Sequence, residues 1–284
     1  MTHSSFDFKV IIPARLNSSR LPRKPLAPIV GKPMVQHVFE QVKKSGATEI
    51  IIATDSPEIE TIAKDFGANV CMTDPNHPSG TDRLQEVCQK MQFDDQDVIV
   101  NVQGDEPLIP SAVINQVAGL IERSSAPMAT LFEPINDTQD IFNPNVVKVV
   151  TDNHLRALYF SRAPVPWDRE KFPHIDDLLQ QNCHQTDFKR HVGIYAYRVA
   201  LLNDFVTWPQ SPLESLEKLE QLRVLEHGMG IAIDKAVDSI PGGVDTPEDL
   251  DRVNALLLAE RQREGDDPHT NDKDDNRVSG RKRV

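Results

Sequence analysis

Two kinds of residue in this chain are placed where they could handle a phosphorylated ligand. The first is a run of cations: Arg15, Arg20, Arg23 and Lys24 fall in a loop that follows the apolar segment Val10-Ile11-Ile12, with Asn17, Ser18 and Ser19 among them. Arginine offers forked donors to phosphate or carboxylate oxygens, and lysine a compact charge. From Met1 to Met34 the cations Lys9, Arg15, Arg20, Arg23, Lys24 and Lys32 face one acid, Asp7, although the chain of 284 residues carries a formal net charge of -12. The positive charge is therefore local, and a merely solvated loop has no need of so one-sided a balance. The second kind is a pair of separated acids, Asp105 in Gln103-Gly-Asp-Glu-Pro107 and Asp245 in Gly243-Val-Asp245. Asp105 could instead be a turn or cap residue and Asp245 a solvated loop acid. Two lone carboxylates opposite a phosphate loop suit Mg²⁺, which takes one or two carboxylates and completes its shell with substrate phosphates and water.

A further set is polar and spread along the chain: Ser79-Gly-Thr-Asp-Arg83, Ser161-Arg162, Arg190-His191 with Tyr195, and Glu214 with Gln221. Each has a plainer reading, as an exposed first-turn arginine for Arg83, a satisfied strand histidine for His191 and a solvated helix face for Glu214 and Gln221. No glycine-rich Walker loop and no G-x-G-x-x-G follows the first strand, which removes the main support for P-loop and dinucleotide sites. Cys71, Cys88 and Cys183 are odd in number and far apart, so they read as reduced thiols and not as a disulfide framework or zinc site.

The elements that must position these residues alternate. Val10 to Ile12, Ile50 to Ala53, Asn69 to Met72 and Asp97 to Val102 read as strands. Pro33 to Lys44, Pro57 to Phe66 and Pro110 to Arg123 read as helices between and after them. That is the pattern of a doubly wound, mostly parallel sheet. Ser56 as N-cap with Pro57 at the first helical position, and Thr246-Pro247 with Asp249, are helix starts. Residues 128–210 are richer in strand formers and interrupted by prolines. One helix is expected from Leu213 to His227, ended by Gly228, and another from Pro247 to about Glu260. The expected organisation is a single α/β domain over 1–260, with a β-rich insertion at about 128–210 and a disordered polar tail over 261–284. In such sheets ligands bind outside the carboxyl ends of the strands, where the basic loop, Asp105 and Asp245 all fall.

An acidic whole argues against general nucleic-acid binding. No apolar run reaches the roughly 20 residues of a membrane span, and Met-Thr-His-Ser-Ser-Phe-Asp lacks the pattern of a secretory leader. The expectation is a cytoplasmic protein without membrane insertion.

Taken in order, Ile12-Pro-Ala-Arg15, Ser19-Arg-Leu-Pro22, Lys24-Pro-Leu26, Ala53-Thr-Asp55, Ser79-Gly-Thr-Asp-Arg83, Val102-Gln-Gly-Asp-Glu-Pro107, Tyr159-Phe-Ser-Arg162, Arg190-His-Val-Gly-Ile-Tyr195, Ser211-Pro-Leu-Glu214, Glu220-Gln-Leu-Arg223 and Val244-Asp-Thr-Pro-Glu-Asp249 resemble the 3-deoxy-manno-octulosonate cytidylyltransferase (CMP-Kdo synthetase) family. The resemblance is collinear from about Phe8 to Ala255. It implies a fold of the nucleotide-diphospho-sugar transferase type with an inserted sugar-binding and dimerisation region. It also implies a homodimer that joins Kdo to CTP with release of pyrophosphate, for lipopolysaccharide assembly, with Mg²⁺. Carried onto this chain, it puts Pro13, Ala14, Arg15, Lys24, Ser79, Gly80 and Asp105 at the nucleotide, and Asp105 and Asp245 at magnesium. Arg15 and Lys24 join the two acids as catalytic groups. The sugar falls to Arg20, Arg83, Gln103, Arg162, His191, Tyr195, Glu214 and Gln221. The family pattern usually has Gly between Pro22 and Lys24, where this chain has Arg23, and the tail after Glu260 has no counterpart.

The chemistry that fits both readings is direct displacement, with the anomeric hydroxyl attacking the α-phosphate and no protein nucleophile. Three alternatives stay open: a cytidylyltransferase for an amino-substituted Kdo, a metal-dependent glycosyltransferase, and a catalytically silent nucleotide-binding regulator. A glycosyltransferase of this kind uses Asp-x-Asp where this chain reads Gln103-Gly104-Asp105, and a silent regulator has no need to keep Lys24, Asp105 and Asp245 together.

Overall fold

Apolar runs that are buried on both faces form the centre of a parallel sheet, and that is what Val10-Ile-Ile12 and Val98-Ile-Val100 do here. The structure, a computed structural model, describes residues 6–16, 20–170, 172 and 188–265. Asn17, Ser18, Ser19 and Cys183 lie outside the described residues, as does the expected tail from 266 onward. The chain begins with β1 (Lys9–Ala14), a 3₁₀ turn at Lys24–Leu26, the short hairpin of β2 (Pro28–Ile29) and β3 (Lys32–Pro33), and α1 (Met34–Val42). It continues through β4 (Glu49–Thr54), α2 (Pro57–Asp65), β5 (Asn69–Met72), α3 (Gly80–Met91), β6 (Val98–Asn101) and α4 (Ser111–Arg123). Then come β7 (Met128–Pro134), α5 (Thr138–Phe142), β8 (Lys148–Thr151), β9 (Ala157–Ser161), β10 (Lys189–Arg198) and α6 (Val199–Phe205). The last elements are α7 (Pro212–Glu217), α8 (Gln221–Glu226), β11 (Ile231–Lys235) and α9 (Pro247–Gly265). The mixed α/β architecture agrees with the expected doubly wound sheet.

The main sheet runs β11-β7-β10-β6-β1-β4-β5, and β8 and β9 continue from β10. Along the main path only β10 runs against its neighbours. The reversal matters for the site, because Tyr195 of β10 pairs with Asn101 at the end of β6, so the start of β10 projects past the carboxyl ends of the parallel strands. The strands of 128–210 thus pair within the main sheet. A core layer lies on each face of the sheet, one including Val10, Ile12, Val100 and Ile114 and the other Ile11, Ile99, Leu84 and Leu202. Each such side chain, fully buried, contributes about 1.5–3 kcal/mol relative to exposure. A small third cluster, Leu21, Ala27, Ile29, Met34, Val244 and Val253, ties the first loop to the chain around Asp245.

Two expectations change. The helix from Leu213 to His227 is two helices, broken where Lys218 takes a left-handed conformation (φ 56°) and caps α7. Residues nine apart stand about 180° around an unbroken helix. Only the break lets Glu214 meet Arg223, and their buried ion pair holds the two helices together. The terminal helix also runs past Glu260 to Gly265. The expected capping arrangement at its start is present: Asp249 N donates to Thr246 Oγ1 (3.2 Å) and Thr246 N to Asp249 Oδ2 (3.1 Å). No helix among the described residues is long and apolar enough to cross a membrane.

Candidate active site

The carboxyl end of β6 brings Asp105 against the end of β1 through Gly104. A Cβ at that position would lie 2.6 Å from the Pro13 carbonyl oxygen, so only glycine allows the approach. Val244 N donates to Asp105 O (2.8 Å), and this backbone bond draws in the loop carrying Asp245. Lys24 stands on the 3₁₀ turn and completes the convergence. Its Nζ donates to Asp105 Oδ2 at 2.5 Å and to Asp245 Oδ1 at 2.7 Å, while Arg20 reaches Asp245 Oδ2 at 3.1 Å. Burial pulls the Lys24 ammonium down, but Asp105 and Asp245 outweigh it and its pKa is raised. Burial and the neighbouring Asp105 push Glu106 up to about 8. The residue before Lys24, Arg23, adopts the left-handed conformation (φ 57°) that a glycine would take there, and its guanidinium pairs with Glu58 of α2.

Arg15 follows β1 and donates to the Ser79 carbonyl (3.1 Å), which joins the first loop to the start of α3. Burial, then the nearby Arg83, lowers its pKa. Ser79 caps α3, accepting from Thr81 N and Asp82 N. Beyond it opens a cavity of about 350 Å³, lined among others by Gly80, Gln103, His191, Tyr195, Glu220 and Gln221. Gln103 is two residues from Asp105, so this cavity adjoins the acid pair. His191 is half-buried on the cavity wall; desolvation pushes it down to about 3, hence neutral, and its Nε2 contacts Thr130 Oγ1 at 3.0 Å. Burial raises the pKa values of Tyr195 and Tyr197, which therefore stay protonated donors. Gln221 presents a buried Nε2 with no hydrogen-bond partner among the described residues. Glu220 accepts from Thr81 Oγ1 (2.7 Å), and burial, partly offset by that bond, raises its pKa.

The expected sugar residues separate at this point. Gln103, His191, Tyr195 and Gln221 line the cavity, whereas Arg83, Arg162 and Glu214 do not. Arg83 is fully buried on the inner face of α3, with its two terminal nitrogens on Asp55 (2.8 Å) and Thr73. Arg162 donates Nε to the Glu217 carbonyl (2.7 Å) and Nη1 to that of Pro144 (2.9 Å). Glu214 belongs to a capping box with Ser211 and is gripped by Arg223 through two bonds of 2.7 and 2.6 Å. Arg20 stands with the acids and not with His191. The reading of the sequence missed Glu220, Lys218, Thr81 and Tyr197, all on the cavity wall. Glu220 adjoins Gln221 in the motif Glu220-Gln-Leu-Arg223, whereas Glu214 is what the family resemblance implies.

The two carboxylates converge on one point through hard oxygen donors, which suits a divalent ion shared with substrate phosphates. Among the described residues no group of three or more His, Cys, Asp or Glu could hold a metal ion, so phosphates and water would have to complete the shell.

A family model described as Cytidylyltransferase matches residues 9–231. The chain is 56% identical over 252 residues to the 3-deoxy-manno-octulosonate cytidylyltransferase of Cellvibrio japonicus, covering 88% of this chain and 98% of that protein. It is 55% identical over 254 residues to the enzyme of the same name from Saccharophagus degradans, with the same coverage. A solved CMP:2-keto-3-deoxy-manno-octonic acid synthetase complexed with CTP superposes with a TM-score of 0.80 at 40% identity, over 90% of this chain and 100% of that one. A cytidylyltransferase from Leptospira borgpetersenii, 17% identical with a TM-score of 0.56, shares the fold.

Proposed function

The chain belongs to the 3-deoxy-manno-octulosonate cytidylyltransferase family, and from that premise we propose how its residues divide the work of joining Kdo to CTP. The enzyme is a nucleotidyltransferase that makes CMP-Kdo and pyrophosphate, with the role in lipopolysaccharide assembly that the family implies. The observation that carries the division is the meeting of Lys24, Asp105 and Asp245 beside a polar cavity whose wall includes the donor of Gln221, unpaired among the described residues.

In this reading the triphosphate lies over the first loop, with Arg15 and Lys24 as its cations and the start of α3, at Ser79 and Gly80, against the nucleotide. The eight-carbon acid fills the cavity. Gln103, His191, Tyr195, Glu220 and Gln221 orient its hydroxyls, so that the anomeric oxygen faces the α-phosphate in line with the departing pyrophosphate. His191 is neutral and serves as a positioning hydrogen-bond partner. Asp105 and Asp245 would hold Mg²⁺, which when bound supplies charge neutralisation on the phosphate oxygens. Catalysis then rests on positioning and electrostatics, with no covalent protein intermediate.

We propose a homodimer as well, supported by the apolar surface that β9 and α7 present: Leu158 is 59% and Leu216 80% exposed. We propose a cytoplasmic location, supported by the use of CTP. Pyrophosphate release from CTP, Mg²⁺ and Kdo tests the reading. Turnover of hexose 1-phosphates at a similar rate would overturn the substrate class, and preference for an amino-substituted Kdo would move it within the class.

A further inference from the structure

The charges where the two acids meet are balanced, two carboxylates against the ammonium of Lys24 and the guanidinium of Arg20. We propose that Lys24 is an internal counter-ion that bars a divalent cation from Asp105 and Asp245 until a triphosphate draws the ammonium away, so that metal enters only with the nucleotide. The inference rests on the assignment of those acids to metal made above.

Magnesium holds its oxygens at about 2.0–2.1 Å. A point 2.5 Å from one oxygen of Asp105 and 2.7 Å from one of Asp245 is close to where an ion shared by both would sit, and Lys24 Nζ is at that point. Two cations cannot share it. The repulsion is strong because the Lys24 side chain is only 13% exposed and water screens it little. Arg20 on the remaining Asp245 oxygen lowers further the negative charge left to attract a metal.

The backbone beneath Lys24 is fixed. Leu26 N donates to Arg23 O (2.9 Å) and Ala27 N to Lys24 O (3.1 Å), and Ala27 and Ile29 sit in the small third core cluster. What can move is the flexible four-carbon stem, which can swing the ammonium onto phosphate oxygens without the turn moving. A bound triphosphate thus does two things at once: it gives Lys24 a new anionic partner and frees the carboxylates.

The test is Mn²⁺ binding to the full chain without nucleotide or sugar, read from the free-ion paramagnetic resonance signal. Apparent affinity falls with the fraction of time the acids are free, so removing the charge in Lys24→Met should tighten Mn²⁺ binding about tenfold or more. Lys24→Gln gives a second charge-free variant, Lys24→Arg should stay near wild type, and Arg20→Met should gain less than Lys24→Met. Circular dichroism identifies the folded variants. Unchanged Mn²⁺ affinity in a folded charge-free variant overturns the proposal, and so does a gain that survives Asp105→Asn. Because neither substrate is present, failure here leaves the Kdo reaction standing, and failure of Kdo turnover leaves this lock standing.

Discussion

At the end of the site that we assign to the phosphates, Lys24, Asp105 and Asp245 stand on turns next to strand ends or a capped helix, and the charges that the sequence displays are the ones that meet. At the end that we assign to the sugar, the polar groups are largely spent within the protein: Arg83 on Asp55, the Arg162 guanidinium on the Glu217 and Pro144 carbonyls, the Glu217 carboxylate on Ser161, and Arg223 on Glu214. The groups that line the cavity there are neutral or shielded, as with His191, Tyr195 and Gln221. The contrast separates two ways of placing a polar residue. The carboxyl end of a parallel strand delivers its residue to the ligand by topology alone. A helical residue is delivered by phase, and one break in the helix reassigns every position after it.

The sharpest way to break the comparison is Glu214→Gln. It leaves Arg223 buried without its charge partner and should cost about 3–5 kcal/mol of stability, read by urea denaturation, while the KM for Kdo of the folded fraction barely moves. Intact stability with a raised KM for Kdo would return Glu214 to the sugar. Next is Asp105→Asn, where about a 10²- to 10³-fold loss in kcat/KM is expected from removing one preorganised charge, with the melting temperature shifted by less than about 3 °C. A large thermal loss would make Asp105 structural and erase the contrast.

Glu220→Ala sharpens the sugar side. Loss of one buried hydrogen-bonding partner should raise the KM for Kdo by about 1–3 kcal/mol equivalent and leave that for CTP alone; equal effects on both substrates would mean that the cavity is not the sugar's.

His191 supplies a pH test. Its pKa is near 3 when folded and about 6.5 when unfolded, so between these values the unfolded chain binds the extra proton. Stability is full above the unfolded value and falls with acid, by about 1.4 kcal/mol per pH unit, until the folded value is reached. His191→Gln should remove that component, measured as the difference in denaturation midpoint at pH 7 and pH 5.

The smallest effect is expected for Arg23→Gly, because glycine relieves the left-handed strain while the exposed pair with Glu58 is lost. The two oppose each other, and the melting temperature should move by less than about 3 °C. A large rise in the KM for CTP would show that this pair aims Lys24.

Much of the fold was legible in the sequence because its signals are local. Ser56 does cap α2, accepting from Ile59 N at 3.4 Å, and β5 spans Asn69–Met72 as read. The cation loop and the two separated acids were legible too, since charge density and position after a strand do not depend on distant packing. What the sequence by itself determined is therefore the alternating α/β order, the family, and the concentration of cations in the first loop with two separated acids. The tertiary structure decided the rest: that Gly104 and the Val244–Asp105 backbone bond bring two acids far apart in the chain to one nitrogen, and that Lys218 breaks a helix and turns Glu220 toward the cavity. It also decided that Arg83 faces inward to Asp55. The physical reason is that a buried charge takes whichever partner the packing brings to it, and pairing across the chain is set by the whole fold and not by the residues on either side.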